Sequence, residues 1–331
     1  MRIGSVDVPG RIAVVAEIGN NHEGDMALAR ELVREAAAAG AHAVKLQAID
    51  PPRLVRATET ARLAQLERFR LREEDFRELH DLARELGVGF LCTPFSLAAV
   101  EWLAPLVDAF KIASGDNDHL GLLRAVGATG KPVIISTGMS DAATIRTAKE
   151  TAEAAGAAEV ALLHCVSAYP AGPEDASLAS IPALAREHDC VVGYSDHLLG
   201  IEGAVVAAAA GARIIEKHFT LRHDLSDFHD HRLSADPAQM RELVARVAEV
   251  ERLLGSPRTG VLPAEEPVAA AARRSAVAAA DLPAGHRLRE ADVDWLRPGD
   301  GIGPSRAGEL IGRTLRRALR RGERIGEDDV A

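Results

Sequence analysis

Eight short apolar runs recur along the first 254 residues, most of them followed by a longer helical pattern. This alternation constrains the fold more than any other feature. The runs are Ile12–Ile18, Ala43–Gln47, Val88–Cys92, Ala109–Ile112, Val133–Ser136, Val160–Cys165, Val191–Tyr194 and Arg213–Glu216. The helical patterns are Met26–Ala39, Glu73–Leu86, Leu97–Leu106, Leu120–Ala128, Ala142–Ala155, Leu178–Glu187, Gly200–Ala210 and Pro237–Leu254. Gly40, Gly87 and Gly130 stand where helices end, as C-cap glycines do. Eight strand–helix units in about 250 residues predict a (β/α)8 TIM barrel. A doubly wound open sheet is the rival, and it calls for a Gly-rich dinucleotide turn after the first strand. Gly19-Asn20-Asn21-His22-Glu23-Gly24, at that place, is not one.

Beyond residue 254 the texture changes. Residues 255–272 hold Pro257, Gly260, Pro263 and Pro267 and read as a linker without helical periodicity. Residues 273–331 carry short apolar pairs broken by turn signals such as Leu282-Pro283-Ala284-Gly285 and Arg297-Pro298-Gly299-Asp300-Gly301. They predict a small β-rich module, too small to be robust alone. A net charge of −10 argues against a nucleic-acid or anionic-membrane surface, so an anionic ligand must be held by a few local cations. Cys92, Cys165 and Cys190 have no CxxC spacing, which suits a reducing cytoplasm, and Cys92 and Cys165 read as small buried hydrophobes. No signal peptide and no membrane-spanning run is expected.

In a barrel, polar residues at the carboxyl ends of strands build the site. Here the strand ends supply Glu17 with Asn20 and His22; Lys45 and Gln47; Thr93 and Phe95; Lys111, Ser114 and Asp116; Ser136 and Thr137; and His164, Ser167 and Tyr169. The last two supply Ser195, Asp196 and His197, then Glu216, Lys217 and His218. So many convergent ends are a poor fit to scattered structural ion pairs. Individually, His164 reads equally as a core histidine or a site residue, and Asn20 and His22 can simply shape the first loop. Strand alternation turns Lys217 toward the helices, and Asp196 can likewise support the shell of the site. Lys45, Lys111, Ser114, Ser136 and Ser195 suit a phosphate and a carboxylate held together. His197 and His218, at the ends of neighbouring strands, suit one divalent ion of the Mn, Fe, Co or Zn type, with its other positions open to water and substrate.

Several motifs together resemble the sialic acid synthase family. They are Glu17-Ile18-Gly19-Asn20-Asn21-His22-Glu23-Gly24-Asp25, Val44-Lys45-Leu46-Gln47, Cys92-Thr93-Pro94-Phe95, Lys111-Ile112-Ala113-Ser114-Gly115-Asp116, Ser136-Thr137-Gly138-Met139, Leu163–Pro170, Gly193–His197 and Ile215–Thr220. The stretch from Arg273 to Gly312 resembles the antifreeze-like (SAF) domain that follows the barrel in that family. The resemblance implies a barrel over 1–254, a linker over 255–272 and a SAF domain over 273–331. It implies condensation of phosphoenolpyruvate with N-acetylmannosamine or a related aldose, giving a nonulosonic acid and phosphate. It implies a metal on His197 and His218, usually Mn²⁺, with Mg²⁺ or Co²⁺ as alternatives. Phosphoenolpyruvate would be held by Lys45, Thr93, Lys111, Ser114, Ser136 and Ser195. The sugar side would be faced by Gln47, Phe95, Ser167, Tyr169 and Asp230, with Arg297 reaching in from the partner of a domain-swapped homodimer. Glu17, Glu216, Asp116 and Lys111 would be the catalytic set, with either glutamate as base for the attacking water.

Three stretches depart from the family pattern: a short loop at 48–71, the segment Arg222–His231, and Asn117-Asp118-His119. All lie where the sugar is expected, so a legionaminic- or pseudaminic-type substrate, or another deoxy-ulosonate synthase reaction, stays open. A non-catalytic sugar-binding or assembly protein would be expected to have lost Glu17, Lys45, Lys111, His197 or His218, and all five are present.

Overall fold

A short antiparallel ribbon, β1 (Arg2–Ile3) and β2 (Val6–Asp7), precedes eight parallel strands that close on themselves. These are β3 (Ala13–Gly19), β4 (Ala43–Ala48), β5 (Gly89–Pro94), β6 (Ala109–Ile112), β7 (Val133–Ser136), β8 (Val160–Cys165), β9 (Val191–Asp196) and β10 (Ile214–His218). The ring closes where β10 pairs β3, with Ile214 opposite Ala13 and His218 opposite Glu17. The computed structural model describes residues 1–331 and divides into two units, Met1–Gly255 and Ser256–Ala331. The closed barrel rules out the doubly wound alternative. No helix is long and apolar enough to cross a membrane.

Strand alternation sorts the side chains. Val14, Ala16, Val44, Phe110, Ile135, Leu162 and Ile215 face outward and pack against the helices. Ala13, Val15, Ala43, Leu91, Ala109, Ile134, Ala161, Leu163 and Ile214 face inward and form the lower interior. Met1, Ile3, Val6 and Val8 of the β1–β2 ribbon join that inner cluster, so the ribbon closes the floor of the barrel. Gly193 sits in this interior because a β-carbon there would overlap the Ile214 carbonyl and the Leu163 side chain. The carbonyl is backbone of a neighbouring barrel strand and cannot swing away, and the Leu163 side chain is buried in the same interior. Gly193→Ala is therefore expected to lower unfolding free energy by about 3 kcal/mol, the upper end of overpacking costs, as read by urea denaturation.

Two stretches differ from expectation. The loop after β4 contains the helices Pro51–Leu54 and Thr60–Phe69. The second buries Leu66 and Phe69 of a three-residue apolar recurrence, Leu63, Leu66 and Phe69, too short to stand out against its charged neighbours. The stretch read as a linker carries a helix, Glu266–Ala272. Its alanines favour helix and Pro267 is tolerated in its first turn, although none of its residues is buried.

The second unit pairs β11 (Ser275–Ala278) with β12 (Val293–Leu296), Ser275 lying opposite Leu296. Its core gathers Ala276, Leu282, Leu288, Val293, Leu310 and Ile325 among others. Arg297 follows β12 directly and is exposed.

Candidate active site

One level above the apolar floor, the inward residues turn ionisable on several strands at once. Glu17 follows Val15 on the inner face, Lys45 follows Ala43, Lys111 follows Ala109, Ser136 follows Ile134 and Glu216 follows Ile214. The result is a single buried polar layer. Lys45 Nζ lies 2.7 Å from Glu17 Oε2 and 3.7 Å from Glu216 Oε2, and donates to Thr93 Oγ1 at 3.3 Å. Lys111 Nζ lies 3.6 Å from Glu216 Oε1 and donates to Ser136 Oγ at 2.7 Å. Ser195 Oγ donates to Glu216 Oε1 at 2.9 Å. Gln47 donates to Glu17 at 2.7 Å and accepts from Asn20 at 2.9 Å.

The environment separates the two carboxylates. Burial raises Glu17, and the neighbouring charge of Glu216 adds to it against the pull of Lys45. Burial also opposes ionisation of Glu216, but Lys111 and Lys45, with the Ser195 hydrogen bond, outweigh it and hold that carboxyl below its ordinary range. Lys45 is held up: burial works against its charge, and Glu17 and Glu216 overcome it. Lys111 is lowered, chiefly by burial, because Glu216 compensates only in part. The layer thus holds one carboxyl drawn down by two lysines, one carboxyl drawn up by burial, and a lysine, Lys111, drawn down by burial.

The next level carries the histidines. The His197 and His218 rings lie 5.4 Å apart, centre to centre. His197 Nδ1 is 2.8 Å from the Val166 carbonyl; donating there, it leaves the Nε2 lone pair free. His218 Nδ1 is buried without a hydrogen-bond partner, 3.8 Å from Asp230 Oδ2. Burial, then the charges of His197 and the lysines, hold His218 well below its ordinary value, so it is neutral. Two neutral-capable imidazoles at this spacing, one with an orphaned nitrogen, fit a shared divalent ion. No set of three His, Cys, Asp or Glu side chains is placed to hold one, so the remaining positions would face water or substrate. Tyr169 covers the pair, its ring 4.2 Å from that of His197.

Cys165, read from sequence as a small hydrophobe, points into the same space, 3.8 Å from His197 Nδ1 and 3.5 Å from Ser114 Oγ. Burial disfavours both charged forms, yet the Cys165 thiol is drawn down and His197 up, each by the other. Its position two residues after inward-facing Leu163 is the signal that could have placed it. Beside it, the Ser114 and Ser167 hydroxyls converge on Gly138, where a β-carbon would strike both. Ser167 Oγ is buried and unpartnered.

The NeuB family model matches residues 32–259, and the SAF domain model matches residues 273–331. The chain belongs to the NeuB family. Its relatives include an uncharacterized protein of Methanocaldococcus jannaschii, 40% identical over 96% of this chain and 94% of its own length. An N,N'-diacetyllegionaminic acid synthase of Legionella pneumophila is 37% identical, covering 91% of this chain and 90% of the relative. Among solved structures, the N-acetylneuraminic acid synthetase of Leptospira borgpetersenii, crystallised with citrate, has a TM-score of 0.77 at 31% identity, covering 81% of this chain and 94% of that one.

In this NeuB-family barrel, Glu17, Lys45, Gln47, Thr93, Lys111, Ser136, Ser195 and Glu216 meet in one layer, and Ser114, Ser167, Tyr169, His197, His218 and Asp230 gather above it. The other predicted residues stand apart. Asp116, on the turn Ser114–Asp116, has no hydrogen bond to the charged layer, and burial raises its carboxyl. Phe95 packs with Leu54, Val55, Ile49, Leu66, Phe69 and Phe228 in an apolar cluster. That cluster joins two of the departing stretches: Phe69, from the loop after β4, meets Phe228, from the loop after β10, edge to face at 5.0 Å. The third is structural. Asn117 is buried and donates to the Ser136 and Gly138 carbonyls, while His119 caps the helix Leu120–Gly127. His164 is a core histidine on the outer face, bonded to the Ala176 carbonyl and stacked on Tyr194. His22 accepts from the Gly24 N–H within the first loop, while Asn20 donates to Gln47 at the edge of the charged layer.

Proposed function

We propose that this chain condenses phosphoenolpyruvate with an open-chain N-acetylated aldose to give a nonulosonic acid and phosphate, using a divalent metal held by His197 and His218. The observation that carries the reading is the buried layer in which two lysines and three hydroxyls lie directly beneath two imidazoles. The Legionella relative at 37% identity and the Leptospira structure at 31% support the reaction class.

On this reading, Lys45 with Thr93 and Lys111 with Ser136 take the two anionic groups of phosphoenolpyruvate, and Ser114 and Ser167 supply further donors beside Gly138. Gln47, Tyr169 and Asp230 face the aldose. A bound ion, Mn²⁺ foremost, supplies a Lewis acid for the aldehyde oxygen. The C3 carbon of phosphoenolpyruvate forms a bond to the aldehyde carbon, and positive charge develops at C2, where the ionised Glu216 offsets it. Water adds to C2 and loses its proton to Glu17, whose raised carboxyl suits a group that gains a proton during turnover. The former aldehyde oxygen takes a proton to become a hydroxyl, and the C2–O bond to phosphate then breaks as the C2 hydroxyl gives up its remaining proton to the departing phosphate, leaving the 2-keto acid.

A panel of aldoses, including N-acetylmannosamine and a 2,4-diacetamido sugar, tests the proposal by product mass and phosphate release. The expected product is one aldose plus a three-carbon keto acid, formed only with metal present. Phosphate release that needs no aldose, or turnover that survives exhaustive chelation, would overturn it.

We also propose a domain-swapped homodimer in which Arg297 reaches the sugar of the partner barrel, in a reducing cytoplasm suited to three free cysteines. Arg297→Ala should raise the aldose KM about tenfold while leaving the phosphoenolpyruvate KM and the oligomeric mass unchanged. An unaltered aldose KM would reduce Arg297 to a surface residue.

A further inference from the structure

On the outer face of the same two strands lies a charged pair that the chemistry does not touch. Asp196 and Lys217 are opposite each other in the β9–β10 register, and both side chains have 0% exposure. Lys217 Nζ is 3.1 Å from Asp196 Oδ2 and donates to the Leu198 carbonyl. The Leu198 N–H in turn donates to Asp196 Oδ1 at 3.0 Å. These contacts have one thing in common. Lys217 immediately precedes His218, and it grips the chain on both sides of His197: the carboxylate before it and the carbonyl after it. The peptide that carries one imidazole is therefore tied to the strand that carries the other.

The surroundings are the apolar layer between strands and helices, with Ile215, Phe219 and Ala204 all buried nearby in sequence. A buried ion pair in such a layer gives little or no net stability over a well-packed apolar pair. Its contribution is geometric: a charge pair has one satisfactory arrangement, whereas apolar side chains have several. Outer contacts that orient metal-binding imidazoles are worth about 10- to 100-fold in metal affinity.

We propose that Asp196 and Lys217 are positioning residues that set the spacing of His197 and His218 and thereby the affinity for the divalent ion. The inference rests on the metal reading given above, and its test separates the two. Mn²⁺ binding to the full chain without substrate is measured by calorimetry or electron paramagnetic resonance, alongside Tm without metal. Lys217→Met is expected to weaken Mn²⁺ binding about tenfold or more and to lower Tm, because Asp196 is left buried and unpaired. The double variant Asp196→Asn with Lys217→Met removes that orphan charge. It should recover most of the lost Tm but not the Mn²⁺ affinity, with the phosphoenolpyruvate KM within about twofold of the parent. A purely structural pair would restore both together, so parental Mn²⁺ affinity in the double variant overturns the proposal while leaving the metal reading intact. Absence of Mn²⁺, Co²⁺ or Zn²⁺ binding by the parent, or binding unchanged in His218→Ala, overturns the metal reading and the positioning role with it.

Discussion

Lys45→Met should cost about 3–5 kcal/mol of unfolding free energy and at least about 10³-fold in kcat/KM for phosphoenolpyruvate, for two separable reasons. The stability loss comes from the carboxylates. Lys45 stands 2.7 Å from Glu17 and 3.7 Å from Glu216 in a layer where all three are buried, and without it two acidic groups share the space. Removing one partner of a buried pair leaves an uncompensated charge, which is the expensive case. Adding Glu17→Gln to Lys45→Met should return most of the stability, because Glu216 keeps Lys111 and Ser195. It should not return activity, because the cation that receives the substrate is still missing. Glu17→Gln alone should lower kcat with little change in the phosphoenolpyruvate KM, as a lost base does. Urea denaturation of the three variants with steady-state kinetics reads all of this. A Lys45→Met protein as stable as its parent would show that the layer does not hold the charges assigned to it.

His197→Ala and His218→Ala should each abolish metal-dependent turnover, by about 10³-fold or more, without unfolding the barrel. His218 is neutral in place, so its truncation orphans no charge and leaves a space at the open end of the barrel. The decisive readout is thermal. A ligand that binds only the folded state stabilises it by about 2.7 kcal/mol at a hundredfold excess over Kd. Mn²⁺ should therefore raise the Tm of the parent and leave that of either variant unmoved. A Tm that still rises with Mn²⁺ in both variants would place the ion elsewhere.

Much of this site was legible in the chain because two independent patterns agree in it. Apolar runs marked the strands, and the ionisable residues interrupting them, such as Lys45 and Lys111, marked the ends that meet in one buried layer. Period-two alternation correctly turned Lys217 outward, away from Glu216 and His218. The same rule, applied to Leu163 and Cys165, would have turned the thiol inward; hydrophobicity alone hid it. Other features depend on long-range packing that no local pattern carries. Phe95 reads as a site aromatic by its place after β5, and its packing in one cluster with Phe69 and Phe228 from distant loops is carried by no local pattern. The two-residue strands β1 and β2 are too short for any periodicity, and only the barrel interior gives them a role.

That floor has a kinetic meaning. A barrel shut at one end is a blind well, and its contents must enter and leave through one mouth. If the small three-carbon donor lies on the charged layer and the aldose lies above it, beside the histidines, then the donor has to arrive first and the sugar closes over it. Departure runs the other way: the long product uncovers the layer before phosphate escapes. On that reading the order of the cycle is set by the packed interior from Ala13 to Ile214, with the ribbon of residues 1–8 sealing it from below.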